Sequence, residues 1–154
     1  MASPYLMSGE TQARSEPRLT IQSRLDDLVL LWPWIESLAA DYSIPANTLY
    51  AIDLCLEEAL SNIIRHGYQG RPGRPITVEF AQYDREVEFT VEDQAPPFNP
   101  LAQPETTPAT APASINDFPV GGLGIGLMRK FAGSLAYQRL AAGNRLTMRF
   151  PLGG

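Results

Sequence analysis

Glu58 and Asn62 lie four residues apart in EEALSNIIRHGY (57–68), a spacing that sets both on one helix face, one turn from each other. A carboxylate and a carboxamide so placed, beside Ala51, Leu54 and Cys55, can orient a hydroxyl or water and hold a hydrated cation. Magnesium favours such oxygen donors and completes its shell with phosphates and waters. Glu57 falls on a different, polar face with Tyr50, Asp53 and Ser61, so the adjacent glutamates have different roles. A second cluster, EDQAPPFNP (92–100), places Asp93 at a strand end. There a carboxylate can accept a hydrogen bond from an exocyclic amine, the prolines stiffen the exit, and Phe98 offers an apolar wall. In the third, GGLGIG (121–126), glycines before a helix let the backbone approach a phosphate, and the helix start supplies free amides. Arg129 and Lys130 follow. Taken singly, each cluster also suits something ordinary: a solvated helix face, an aspartate turn, a flexible hinge.

Several chemistries are excluded. The glycine run is no dinucleotide fingerprint, because Arg129 stands where a third glycine would, and no strand immediately precedes it. It lacks the Gly-Lys-Ser/Thr ending of a P-loop. His66 is the only histidine, so no multi-histidine metal site exists; its expected role is structural, at a helix end. Cys55 reads as a small buried residue whose histidine partner would be three helical turns away. Trp32 and Trp34 are expected in the core.

The chain around these clusters has 154 residues, 44% hydrophobic and 19% charged, the composition of one globular domain. Its 12 basic and 17 acidic residues give a net charge of −5, which does not favour nucleic acid phosphates. One cysteine permits no internal disulfide. No apolar run approaches a membrane span, and MASPYLMSGETQARSEP lacks the basic-then-apolar pattern of a signal peptide. The expectation is a soluble, reduced, cytoplasmic protein that binds neither nucleic acid nor membrane.

Positioning falls to the following elements. Residues 1–17 lack periodicity and read as a disordered tail before a single domain, 18–154. RLTIQS (18–23) alternates as an edge strand. Apolar residues recur at helical spacing from Arg24 to Tyr42, with Pro33 kinking or dividing the helix. A stronger helix, about Asn47 to His66, buries Leu49, Ile52, Leu56, Ala59, Leu60 and Ile63 and stops at Gly67. ITVEFAQY (76–83) and EVEFTVED (86–93) form a hairpin. Residues 94–120 hold seven of the 14 prolines and read as a long loop. A helix from Ile125 to Ala132 and a second hairpin, SLAYQRLA (134–141) with NRLTMRFPL (144–152), complete the chain. Strands in adjacent pairs argue for an α+β two-layer sandwich, its sheet mixed but mostly antiparallel, with helices on one face.

The three clusters, in this order and spacing, resemble the GHKL superfamily of ATP-binding domains, and within it the RsbW-like anti-sigma-factor serine/threonine kinases. The resemblance runs over about 18–152 and rests on EEALSNIIRHGY, EDQAPPFNP and GGLGIGLMRKFAG. It implies ATP and Mg2+ as ligands, with Asn62 as magnesium ligand, Glu58 as general base toward a substrate hydroxyl, and Asp93 on the adenine amine. Gly122, Gly124 and Gly126 would meet the phosphates, and residues 101–120 would be the lid. It further implies a STAS-type anti-sigma-factor antagonist as phosphorylated partner, a sigma factor as a second partner, and a possible homodimer. A catalytically inactive nucleotide-binding or interaction module is the alternative. One departure stands out: the family usually has glycine two residues after the aspartate, where this chain has Ala95. Alanine tolerates positive φ poorly, so a reshaped turn is expected.

Overall fold

The computed structural model describes residues 17–102 and 124–152. Five strands form one sheet in the order β1-β2-β3-β5-β4: β1 Arg18–Gln22, β2 Pro75–Gln82, β3 Glu86–Asp93, β4 Ser134–Leu140 and β5 Gly143–Pro151. The strands follow from their alternation. Each buried residue of β2 (Ile76, Val78, Phe80) and β3 (Val87, Phe89, Val91) is followed by one that faces outward, the pattern of a sheet covered on one side. All four pairings are antiparallel, so among the described residues the sheet has no parallel pair. The α+β two-layer class holds.

The outer face is polar. Arg145 donates to Glu92 at 2.7 Å, and Arg149 to Glu88 and Glu86 at 2.9 and 3.0 Å; Arg18 pairs with Glu79. These half-exposed pairs contribute little each but keep the open face wet. The inner face carries Phe80, Phe89 and Phe150, with ring centroids 5.3 and 6.1 Å apart.

Three helices cover it: α1 Leu31–Tyr42, α2 Ala46–Asn62 and α3 Gly124–Phe131. The segment from Arg24 is two pieces, but the division falls before Pro33, between a 3₁₀ turn at Leu25–Leu30 and α1. Pro33 sits in the first turn of α1, where the missing N–H has no intrahelical partner to lose. Trp34 packs edge-on against Phe89 at 6.0 Å. Trp32 corrects the expectation: it is 40% exposed, beside Val29 and Leu30. The apolar stripe of α2 is as read, with Ile52, Leu56 and Leu60 fully buried. After Asn62 the helix widens into a π turn, Ile63–Gly67, closed by Tyr68 N–H on the Ile63 carbonyl at 2.7 Å. His66 lies on that turn with its ring stacked on Phe98. α3 packs on α2, which brings the start of the glycine-led helix to the same layer as Asn62.

Candidate functional site

The strand end at Asp93 is built around a residue that the sequence reading passed over, Asn144. β3 and β5 are neighbours, and their register sets Asp93 opposite Asn144. Both are buried, 6% and 3% exposed. Asn144 Nδ2 donates to Asp93 Oδ1 at 2.8 Å and to the Pro96 carbonyl at 3.0 Å. Asn144 Oδ1 accepts from the Phe98 N–H at 3.1 Å and from the Tyr137 hydroxyl at 2.5 Å. A single side chain thus ties β3, β4, β5 and the 94–98 exit together. Asp93 Oδ1 also accepts from the Ala95 N–H at 2.8 Å. Burial pushes the Asp93 carboxyl above its usual range, against the hydrogen bonds from Asn144 and Ala95 and the Arg139 charge, which favour the carboxylate.

Ala95 does not reshape the turn. The described non-glycine residues at positive φ are Ser43 and Gln69, so Ala95 keeps an ordinary backbone. Its buried methyl faces Gly67, where a Cβ would stand 3.4 Å from the Ala95 Cβ. Small residues on both sides let the π turn and the strand exit touch. Tyr68 secures the same junction, its hydroxyl donating to the Pro75 carbonyl at 2.8 Å and accepting the Gln94 N–H at 2.7 Å.

A slot lies in front of Asp93, walled by Ala59 and Ile63 of the helical layer, Val91, Phe98 and Leu146, with Tyr137 and Asn144 as further polar groups. It is narrow, with room for about 10 Å³ of water. A planar ring enters it only if side chains such as Phe98 and Tyr137 part.

Asn62 closes α2 at the same end. It is 5% exposed, and its Oδ1 is buried without a hydrogen-bond partner. A buried carboxamide oxygen left unpaired costs stability, and it is the hard oxygen donor that a magnesium ion accepts. The residue therefore fits the ion. The described residues contain no cluster of three His, Cys, Asp or Glu side chains, so protein alone would not cage a metal there. Glu58, one turn back, is half-buried. Burial and then the Glu58 charge push the Cys55 thiol up to about 12, which makes Cys55 inert and sets Glu58 on the face foreseen for it. Gly124 and Gly126 form the first turn of α3; Gly122 and the lid residues 103–120 lie outside the described residues.

The wheel's other face has its own chemistry. Asp53 shares a side-chain hydrogen bond with Glu57 and is half-buried, and burial first, then that bond and the Glu57 charge, raise its pKa from 3.8 to about 7. The folded state thus holds a proton that the unfolded chain releases near pH 4. The stability this contributes is full below about pH 4 and is lost as pH rises to about 7. Asp53→Asn should match wild type near pH 4.5 and exceed it near pH 8 by about 1 kcal/mol, a figure discounted for solvent screening. Urea denaturation across that range checks it; equal slopes for the two proteins would refute the shared proton.

Comparison with known proteins adds relatives to this geometry. A model described as a histidine kinase-like ATPase domain matches residues 21–150. The serine/threonine-protein kinase BtrW of Bordetella bronchiseptica is 33% identical over 120 residues, which cover 75% of this chain and 79% of BtrW. Among solved structures, the RsbU and RsbW domains of Rv1364c from Mycobacterium tuberculosis superpose with a TM-score of 0.56 at 15% identity. That match covers 88% of this chain but spans about a third (32%) of the larger one, and it bears on the fold alone.

Proposed function

Because the chain belongs to the histidine kinase-like ATPase domain family, we propose that it binds ATP with Mg2+ and phosphorylates a serine or threonine of a small antagonist protein. In this reading it is an anti-sigma regulatory kinase of the partner-switching kind, acting in the cytoplasm. The antagonist is STAS-type, and a sigma factor is the partner held in the alternative state. The observation that carries the reading is the Asp93 corner. A buried carboxylate, held by Asn144 and Ala95, faces a mostly apolar slot, where it would accept the adenine amine. The name of BtrW supports the kinase assignment. The described residues contain no helix long and apolar enough to cross a membrane.

The division of labour follows from the residues. Asp93 and Asn144 fix the base edge. Asn62 would offer its unpaired Oδ1 to the cation, whose chemistry when bound would be charge neutralisation on the phosphates. The start of α3, with Gly124 and Gly126 in its first turn, would offer free amides to the phosphates. Glu58 takes the proton of the substrate hydroxyl as the serine oxygen attacks the γ-phosphorus and ADP departs. Phosphoryl transfer asks for little beyond such positioning and charge neutralisation. The alternative of an inactive binding module draws on Ala95 and on the Pro-, Ala- and Thr-rich lid; Ala95 sits without strain, and lid residues 103–120 lie outside the described residues.

Calorimetry tests the site. Wild type should bind ATP more tightly with Mg2+ than without it, and Asn62→Ala should lose that magnesium dependence. Asp93→Asn should weaken ATP by about 1.5–3 kcal/mol, the worth of a hydrogen bond to a charged group, while staying folded. Absence of ATP binding by wild type would overturn the reading. Unchanged affinity in folded Asp93→Asn would remove Asp93 from the site.

A further inference from the structure

The opposite end of the molecule carries a cleft that the proposed reaction does not use. It lies at the first turn of α2, about 22 Å along the helix from Asn62 at 1.5 Å per residue. Its volume is about 410 Å³, and Asn47, Thr48, Ala51, Phe131, Phe150 and Pro151 line it. That size suits a small organic ligand.

Two independent features say what kind. First, α2 begins without a cap: Pro45 holds the N-cap position in extended backbone, no side chain caps the helix, and no acidic residue lies in the first turn. The first intrahelical bond runs from the Leu49 N–H to the Pro45 carbonyl at 2.8 Å, so the amides of Ala46, Asn47 and Thr48 have no intrahelical acceptor. Second, Thr48 is 8% exposed, and its hydroxyl makes no hydrogen bond among the described residues. Thr48 lines the cleft, and its hydroxyl oxygen keeps solvent access, so it is open to a ligand seated there. Among the described residues no acidic side chain lines the cleft, and the Lys130 ammonium lies 5.7 Å from the ring centre of Phe131, which forms one wall. The remaining walls, Ala51, Phe150 and Pro151, are apolar.

Donors and positive potential at one side, aromatic and aliphatic walls at the other, define an amphipathic anion. We propose that this cleft binds a small carboxylic acid with an apolar, aromatic body. The carboxylate sits on the α2 amides and the Thr48 hydroxyl, and the body rests against Phe131 and Phe150. The helix start favours negative charge, and the apolar walls favour an anion with an apolar body over a bare hydrated one.

The test is an NMR titration of the full chain with benzoate, benzamide and acetate, following the amides of residues 46–51 and 131. Benzoate should give saturable shifts there; benzamide, without the charge, and acetate, without the ring, should bind far more weakly. Thr48→Val keeps the shape and removes only an unpaired hydroxyl, so it should fold and bind benzoate about tenfold more weakly or worse. Asn47→Asp, at an exposed position, should fold as well and abolish binding by placing a negative charge at the helix start. The proposal falls if benzoate gives no saturable shift, if benzamide binds equally well, or if folded Thr48→Val and Asn47→Asp both bind like wild type. None of these outcomes depends on ATP binding.

Discussion

Glu58→Gln should retain ATP binding and lose phosphate transfer to the antagonist by about 10²–10⁴-fold, the usual worth of a positioned general base. The substitution keeps the size and polarity of the side chain and takes away its ability to accept a proton. Asn62 and the Asp93 corner are untouched, so calorimetry with ATP should read as in wild type. Glu57→Gln is the companion. It lies on the exposed side of α2 with Asp53, so it should alter the pH dependence of stability and leave transfer intact. Labelled-phosphate transfer from ATP, run beside binding for each protein, separates the cases. If wild type binds ATP and phosphorylates no antagonist, the kinase reading fails while nucleotide binding stands. If Glu57→Gln is the dead variant, the two glutamates exchange roles.

Gly143→Ala is the second large effect, and its cause is local geometry. A Cβ at Gly143 would stand 1.8 Å from the Asp93 carbonyl oxygen and 2.9 Å from its carbon. No side-chain rotation relieves a clash with backbone, so β5 has to move away from β3 at its first residues. We expect a loss of about 3 kcal/mol, the upper end for overpacking. ATP binding should fall further than global unfolding explains, because the displaced strand carries Asn144 away from Asp93. Urea denaturation gives the first quantity, and an ATP titration at a temperature where the variant is folded gives the second. A variant of wild-type stability and affinity would show that the strands do not approach so closely.

The strands and the helices were legible because burial on one side imposes a period, and the periods were clean: two for β2 and β3, helical for α2. The Glu58–Asn62 face was legible for the same reason, since spacing along one helix is local information. Asn144 was not. Asn after Gly at the start of a strand reads as part of a hairpin turn, and its importance arises only when β5 inserts beside β3, a pairing of strands that are not consecutive. Gly143 falls between the two strands of that hairpin in the sequence pattern, whereas the demand on it comes from the Asp93 carbonyl across the sheet. The π turn after Asn62 continued the helical pattern of apolar residues and left no separate mark. Trp32 was placed in the core on its type alone, and its neighbours in the 3₁₀ turn set it outward.

The insertion of β5 has a consequence for how the protein is made. β2 with β3, and β4 with β5, are hairpins that close over a few residues. The Asp93–Asn144 bond instead closes a loop of about fifty residues, whose entropy has to be met before the contact rewards it. A chain growing from its N-terminus therefore exposes an unbraced Asp93 until β5 has been synthesised and laid between its neighbours. The Asp93 corner depends on that closure across about fifty residues, so it is complete only once β5, the last described strand, is in place.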